Sequence, residues 1–202
     1  MTLTSAVFIV INLALVLYYP CTSSFFRTKV LGNKKIQTLI KTSPFLIAGL
    51  TIAMQYYYIF HSSSAMMINI NTALSNRPYF GKLAIEKYGI SLFGQPIAWL
   101  TGTDGTKVSG NDYFYVDSSY LQVLVSYGIV MLVVLCLAMT IVQRYGISTR
   151  NAAMCLACTL FLIHCMTDPQ LLSFRYDPFL IATFACIESV RTLTFTKRNH
   201  NE

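Results

Sequence analysis

The chain's 202 residues are 54% hydrophobic and only 11% charged. A water-soluble domain is about a quarter charged, so this balance points to lipid as the solvent and excludes a disordered chain. The net charge of +7 does not indicate a nucleic-acid partner, because the basic residues stand in short blocks between apolar runs rather than on one face or arm.

Five apolar runs come close to the length needed to cross a hydrocarbon core about 30 Å thick. In chain order they are Thr2 to Tyr19, Pro44 to Phe60, Tyr120 to Val142, Ala152 to Thr167 and Pro178 to Phe195. The third has 23 residues without a charge, whereas the fifth contains Glu188 and Arg191 at i, i+3, a spacing that allows pairing or reach to headgroups. The first run lacks a preceding Lys or Arg and a small-residue cleavage site, which argues against a signal peptide. The expected fold class is all-α: a polytopic transmembrane helical bundle of about five spans, residues 1–202 forming one transmembrane domain with a large, partly helical outer loop over residues 61–119.

Loop charges set the expected orientation, because Lys and Arg are retained on the cytoplasmic side of short loops. Arg27, Lys29, Lys34, Lys35, Lys41, Arg144, Arg150, Arg191, Lys197 and Arg198 fall on one side, ten of the 15 basic residues, with only Glu188 and Glu202 as acids. The loop from His61 to Ser119 and the turn from Asp168 to Asp177 hold the other five basic residues and six acids. The expected location is therefore the cell membrane, multi-pass, with the N-terminus outside and the C-terminus cytoplasmic. An uncharged N-terminus that starts outside suggests preceding spans.

A 59-residue loop is too long for a simple turn. Leu83, Ala84, Ile85, Tyr88 and Ile90, with Lys82 and Glu86 at i, i+4, predict a short helix within it. Leu92-Phe93-Gly94 and Pro96 to Leu100 can lie on the membrane surface, and Thr101 to Gly110 reads as an exposed turn. Tyr113, Phe114, Tyr115 and Tyr120 before the third span form either an interfacial aromatic belt or a sugar-stacking platform served by Asn111, Asp112 and Asp117. Cys136, Cys155, Cys158, Cys165 and Cys186 lie within apolar runs, with Cys21 beside one, and read as small buried hydrophobes. The Cys155/Cys158 spacing has no second ligand pair nearby, so no metal or other cofactor is expected.

Asn76-Arg77-Pro78-Tyr79, then Ala84 to Tyr88 and Ser91-Leu92-Phe93-Gly94, resemble the outer loop of Wzy-type polysaccharide polymerases of Gram-positive capsule and exopolysaccharide pathways. Val116-Asp117-Ser118-Ser119-Tyr120-Leu121 leading to Tyr127-Gly128-Ile129 resembles the segment that opens their following span. Asp168-Pro169-Gln170 and Tyr176-Asp177-Pro178-Phe179-Leu180 resemble their last outer turn, where Glu and Asn often stand in place of Asp168 and Asp177. The related O-antigen ligases carry a His-Asn pair near Asp117 and Ser118. The resemblance covers nearly the whole chain but only the C-terminal half of the family's fold.

It implies a membrane glycan polymerase, or its C-terminal part. Such an enzyme moves a growing glycan from polyprenyl diphosphate to a lipid-linked repeat unit, beside a flippase and chain-length regulators. Arg77 is the candidate to stabilise the leaving diphosphate, because a guanidinium fork suits phosphate. Its bland alternative is a loop arginine among headgroups. Asp117 is the candidate to take the proton of the attacking hydroxyl, or alternatively a helix N-cap. Tyr79, Asn111, Tyr113, Tyr115, Tyr120, His164, Asp168 and Arg175 are candidate substrate-binding residues. His164 is placed four residues before Asp168 on one helical face, with a helix-to-helix hydrogen bond as its alternative; Arg175 is alternatively a surface charge. Two other classes compete: a transport or flippase component whose Arg77 and Asp117 line a polar path, and a catalytically silent remnant.

Overall fold

The computed structural model describes residues 31–100, 114–172, 177–183 and 185–187. Regular structure among the described residues is helical, apart from one isolated antiparallel bridge between Leu100 and Phe114. The helices are α1 (Lys34–His61), α2 (Ala65–Ala73), α3 (Arg77–Tyr88), α4 (Ser119–Ser126), α5 (Gly128–Ser148), α6 (Ala152–His164) and the shorter apolar α7 (Pro178–Ile187). Among the described residues, α1 and α5 are the helices long and apolar enough to cross a membrane. The expected span from Thr2 to Tyr19 and the end of the fifth lie outside the described residues.

Two compact units emerge: Met1–Ile47 with Leu135–His164 and Ser173–Glu202, and Ala48–Val134 with Cys165–Leu172. In the first, α1 begins ten residues before the expected start at Pro44, because Asn33 opens the helix: its side-chain oxygen accepts from the Lys35 amide at 2.9 Å. Pro44 is therefore a helix-interior residue. It has no N–H for the Ile40 carbonyl, and the Ser43 hydroxyl donates to that carbonyl instead, at 2.8 Å. Helix α5 closes on Arg150 in the left-handed region, φ 52°, with amides of Arg150 and Asn151 donating to Ile147 and Gly146. Asn151 then caps α6 by accepting from the Met154 amide at 3.1 Å. Gln143, fully buried on α5, donates to Thr159 Oγ1 at 2.9 Å and ties α5 to α6. The cysteines at 136, 155, 158, 165 and 186 are buried, as their apolar context predicted.

Helix α6 has 13 residues, about 20 Å, and ends at His164, short of the expected Thr167 and of a full crossing. Asp168 lies beyond that helix end, so His164 and Asp168 do not share a helical face.

In the second unit the expected uninterrupted span from Tyr120 to Val142 is broken at Tyr127-Gly128, where α4 ends and α5 begins. Segment 91–95 passes through the break and satisfies it. The Gln95 amide donates to Ser126 O at 2.9 Å, and the Ile129 and Val130 amides donate to Ser91 O and Leu92 O, each at 3.1 Å. Two glycines permit the approach: a Cβ on Gly128 (φ +84°) would stand 2.4 Å from Leu92 O, and one on Gly94 (φ +86°) 2.3 Å from Ser126 O. A small core of Ala84, Val116 and Leu121, with Ile52, Ile85, Trp99 and Phe114 against it, gathers α1, α3 and α4. The helix predicted around Leu83 is present as α3, with Lys82 Nζ 3.8 Å from Glu86 Oε1.

Candidate functional site

Arg77 opens α3, and the turn before it fixes its place. Ser75 and Asn76 are left-handed, φ 55° and 62°, and Asn71 spans the turn, donating to Asn76 Oδ1 at 2.7 Å and accepting from the Tyr79 amide at 3.1 Å. The Arg77 and Phe80 amides donate to Leu74 O and Asn76 O, and Pro78 has no N–H. The first turn of α3 is thus satisfied internally, leaving the guanidinium as its cationic donor group.

A second fastening comes from Gln55, a polar residue in the apolar run of α1 and almost fully buried. Its amide donates to Pro78 O at 3.0 Å, and its side chain lies where a Cβ on Gly81 would have to sit. A glycine one turn into α3 is what lets the helix close on Gln55. Neither residue stands out from hydropathy alone, although a glutamine within an apolar span is a signal in itself.

The guanidinium meets two partners. Nε lies 3.1 Å from Asp117 Oδ2, and Nη1 donates to the Thr167 carbonyl at 2.6 Å. Thr167 is held through Ser119, whose amide donates to Cys165 O and whose hydroxyl donates to Asp168 O while accepting from the Gln170 and Leu171 amides. Sequence reasoning missed Ser119. The Arg77 side chain is 13% exposed and that of Asp117 26%. Arg77 is thus a half-buried, anchored cation at the start of α3, and Asp117 is not a helix cap. The N-cap of α4 is Ser118, and no side-chain hydrogen bond caps that helix.

Residues 114–118 run between the Leu100 bridge and α4, and Val116 turns into the core while Tyr115 and Asp117 stay partly exposed. Burial raises the Asp117 pKa above the ordinary carboxylate value; the Arg77 charge pulls it down, Asp168 pushes it up again, and burial prevails. Tyr115 accepts from Gln122 Nε2 at 3.0 Å and meets Trp99 edge-to-face at 5.7 Å.

An apolar cavity of about 480 Å³ adjoins this pair. Thr51, Met54, Gln55 and Tyr58 of α1 line it with Met67 and Ile70 of α2, and Arg77, Ser118, Leu121 and Thr167 complete the wall. A mostly hydrocarbon wall carrying one guanidinium suits an amphiphilic anion.

The other sequence candidates divide. Tyr79 is on α3 and 45% exposed, whereas Tyr120 is fully buried and offers no ring face for a sugar, a correction to its assignment as part of a platform. Asp168 borders the Ser119 network through its carbonyl, and His164 ends α6. Asn111, Tyr113 and Arg175 lie outside the described residues. In the first unit Asp177 caps α7, accepting from the Phe179 and Leu180 amides at 3.0 Å, and burial raises its pKa to about 6. No family model, curated protein or solved structure matches the chain.

Proposed function

We propose that the chain is a membrane glycan polymerase, or the C-terminal part of one, with Arg77 and Asp117 as its reacting pair. The observation that carries this reading is the 3.1 Å contact between a largely buried guanidinium and a carboxylate of raised pKa, beside an apolar cavity. The apolar, mostly exposed faces of α1 and α5 support residence in a bilayer, since Leu46, Leu50, Met54, Val133, Val134 and Leu137 would otherwise meet water. The proposed topology has α1 and α5 as spans, the N-terminus and the loop containing Arg77 outside, and the C-terminus cytoplasmic.

In the proposed reaction, a sugar hydroxyl of a lipid-linked repeat unit attacks the anomeric carbon of the growing glycan. The carbon–oxygen bond to polyprenyl diphosphate breaks, the diphosphate leaves with the bonding pair, and the hydroxyl proton passes to Asp117. Asp117 binds through Nε and Thr167 through Nη1, so the guanidinium keeps N–H groups for phosphoryl oxygens. A carboxylate whose pKa is raised by burial is a stronger base than an exposed one.

The test is transfer from a lipid-linked repeat unit in membranes, scoring both glycan length and released polyprenyl diphosphate. Arg77→Lys keeps the charge but loses the fork, and turnover should fall on the order of a hundredfold with smaller loss of lipid binding. Unchanged turnover would remove Arg77 from the chemistry. Movement of the lipid-linked unit across the bilayer without glycan lengthening would favour the transport class instead.

A further inference from the structure

Ser118 is the N-cap of α4, a position where serine ordinarily accepts from an amide of the first turn. Here it does not. Its hydroxyl oxygen is buried with no hydrogen-bond partner among the described residues, although the residue lines the cavity together with Arg77 and directly follows Asp117. A buried hydroxyl left unpaired costs about 1–3 kcal/mol. Buried polar groups are otherwise almost always satisfied, and an orphan hydroxyl on a residue that lines a cavity can turn about its Cα–Cβ bond to a partner supplied by what enters it.

The chemistry of the wall specifies that partner. Met54, Tyr58, Met67, Ile70 and Leu121 offer hydrocarbon surface, Arg77 offers a positive charge, and a hydroxyl offers one short donor. We propose that Ser118 is a ligand-contacting residue whose hydroxyl donates to a phosphoryl oxygen of an amphiphilic lipid phosphate, the ligand's charge resting on Arg77 and its hydrocarbon in the cavity. The inference rests on the proposed role of Arg77 and adds a second headgroup contact to it.

Ser118→Ala gives the inference a signature that a packing role does not share, because stability and binding move in opposite directions. With the orphan hydroxyl removed, the thermal transition of the purified full chain in neutral detergent should stay level or rise. Affinity for geranylgeranyl diphosphate should fall about tenfold, while affinity for geranylgeraniol, which has no phosphate, should be unchanged. Ser118→Thr, which restores a hydroxyl, should recover most of the diphosphate affinity. A lowered thermal transition with undiminished diphosphate affinity would overturn the inference, as would an equal loss for both probes. If Arg77→Lys weakens diphosphate binding and Ser118→Ala does not, only the role of Ser118 falls. If the wild-type chain does not bind the diphosphate at all, the reading of Arg77 falls with it.

Discussion

Both compact units bury polar side chains, yet they use them differently. Around Gln143 the polar groups serve helix pairing: Gln143 joins Thr159 and reaches Cys155 O, and Thr159 donates back to Cys155 O. Around Arg77 they converge from separate stretches of chain, with Gln55, Asp117, Ser119 and the Thr167 carbonyl fixing one guanidinium beside a cavity. A buried polar residue is therefore not in itself a sign of function. The informative pattern is several such residues holding one charged group against open space.

The glycines give the largest expected contrast. Gly128→Ala places a side chain on a left-handed residue and against backbone atoms of Leu92 and Gly94, none of which can rotate away. A loss of about 3 kcal/mol or more in thermal stability is expected, with the junction of α4, α5 and segment 91–95 opening first. Gly146→Ala meets chiefly the Cys155 sulfur at 2.7 Å, a side-chain atom that can shift, and gains helix propensity. Its cost should be about 1 kcal/mol or less. Equal losses in the two variants, read from detergent melts, would show that the helix break is not rigid.

The smallest effect is expected at Gln143. Its Oε1 is buried without a hydrogen bond among the described residues, so Gln143→Leu removes the bond to Thr159 Oγ1 and the longer one to Cys155 O together with one unsatisfied atom. The net change should be within about 1 kcal/mol. A much larger loss would mean that the interhelical bond to Thr159 carries the α5–α6 pairing.

The contrast between units also marks how far sequence reasoning reaches. Hydropathy found α5, α6 and most of α1, and the i, i+4 pair of Lys82 and Glu86 found α3. It missed the break at Gly128, because apolar residues continue across it and the signal resides in two glycines, Gly94 and Gly128, whose backbones meet from distant parts of the chain. It also missed α2, whose nine residues mix Met and Ile with Asn and Thr. Arg77 and Asp117 were selectable by residue type and resemblance. The network that holds the pair together was not, because it joins segments far apart in the chain and hydropathy carries no record of which backbone groups meet. Their approach depends on Asn71, Gln55 and Ser119 fixing three separate backbone segments.

The most direct test of the reacting pair is the pH dependence of glycan transfer in Asp117→Asn, compared with the unaltered chain. Burial raises the Asp117 pKa, and the proposed base acts in its ionised form, so the native rate should rise with pH through a value above that of an ordinary carboxylate and fall as Asp117 is protonated. Asparagine keeps the size of the side chain and cannot take the proton. In the variant this acid limb should disappear, and the rate at neutral pH should drop on the order of a hundredfold with protein level unchanged. A native rate and an intact acid limb in Asp117→Asn would contradict the assignment of Asp117 as the base.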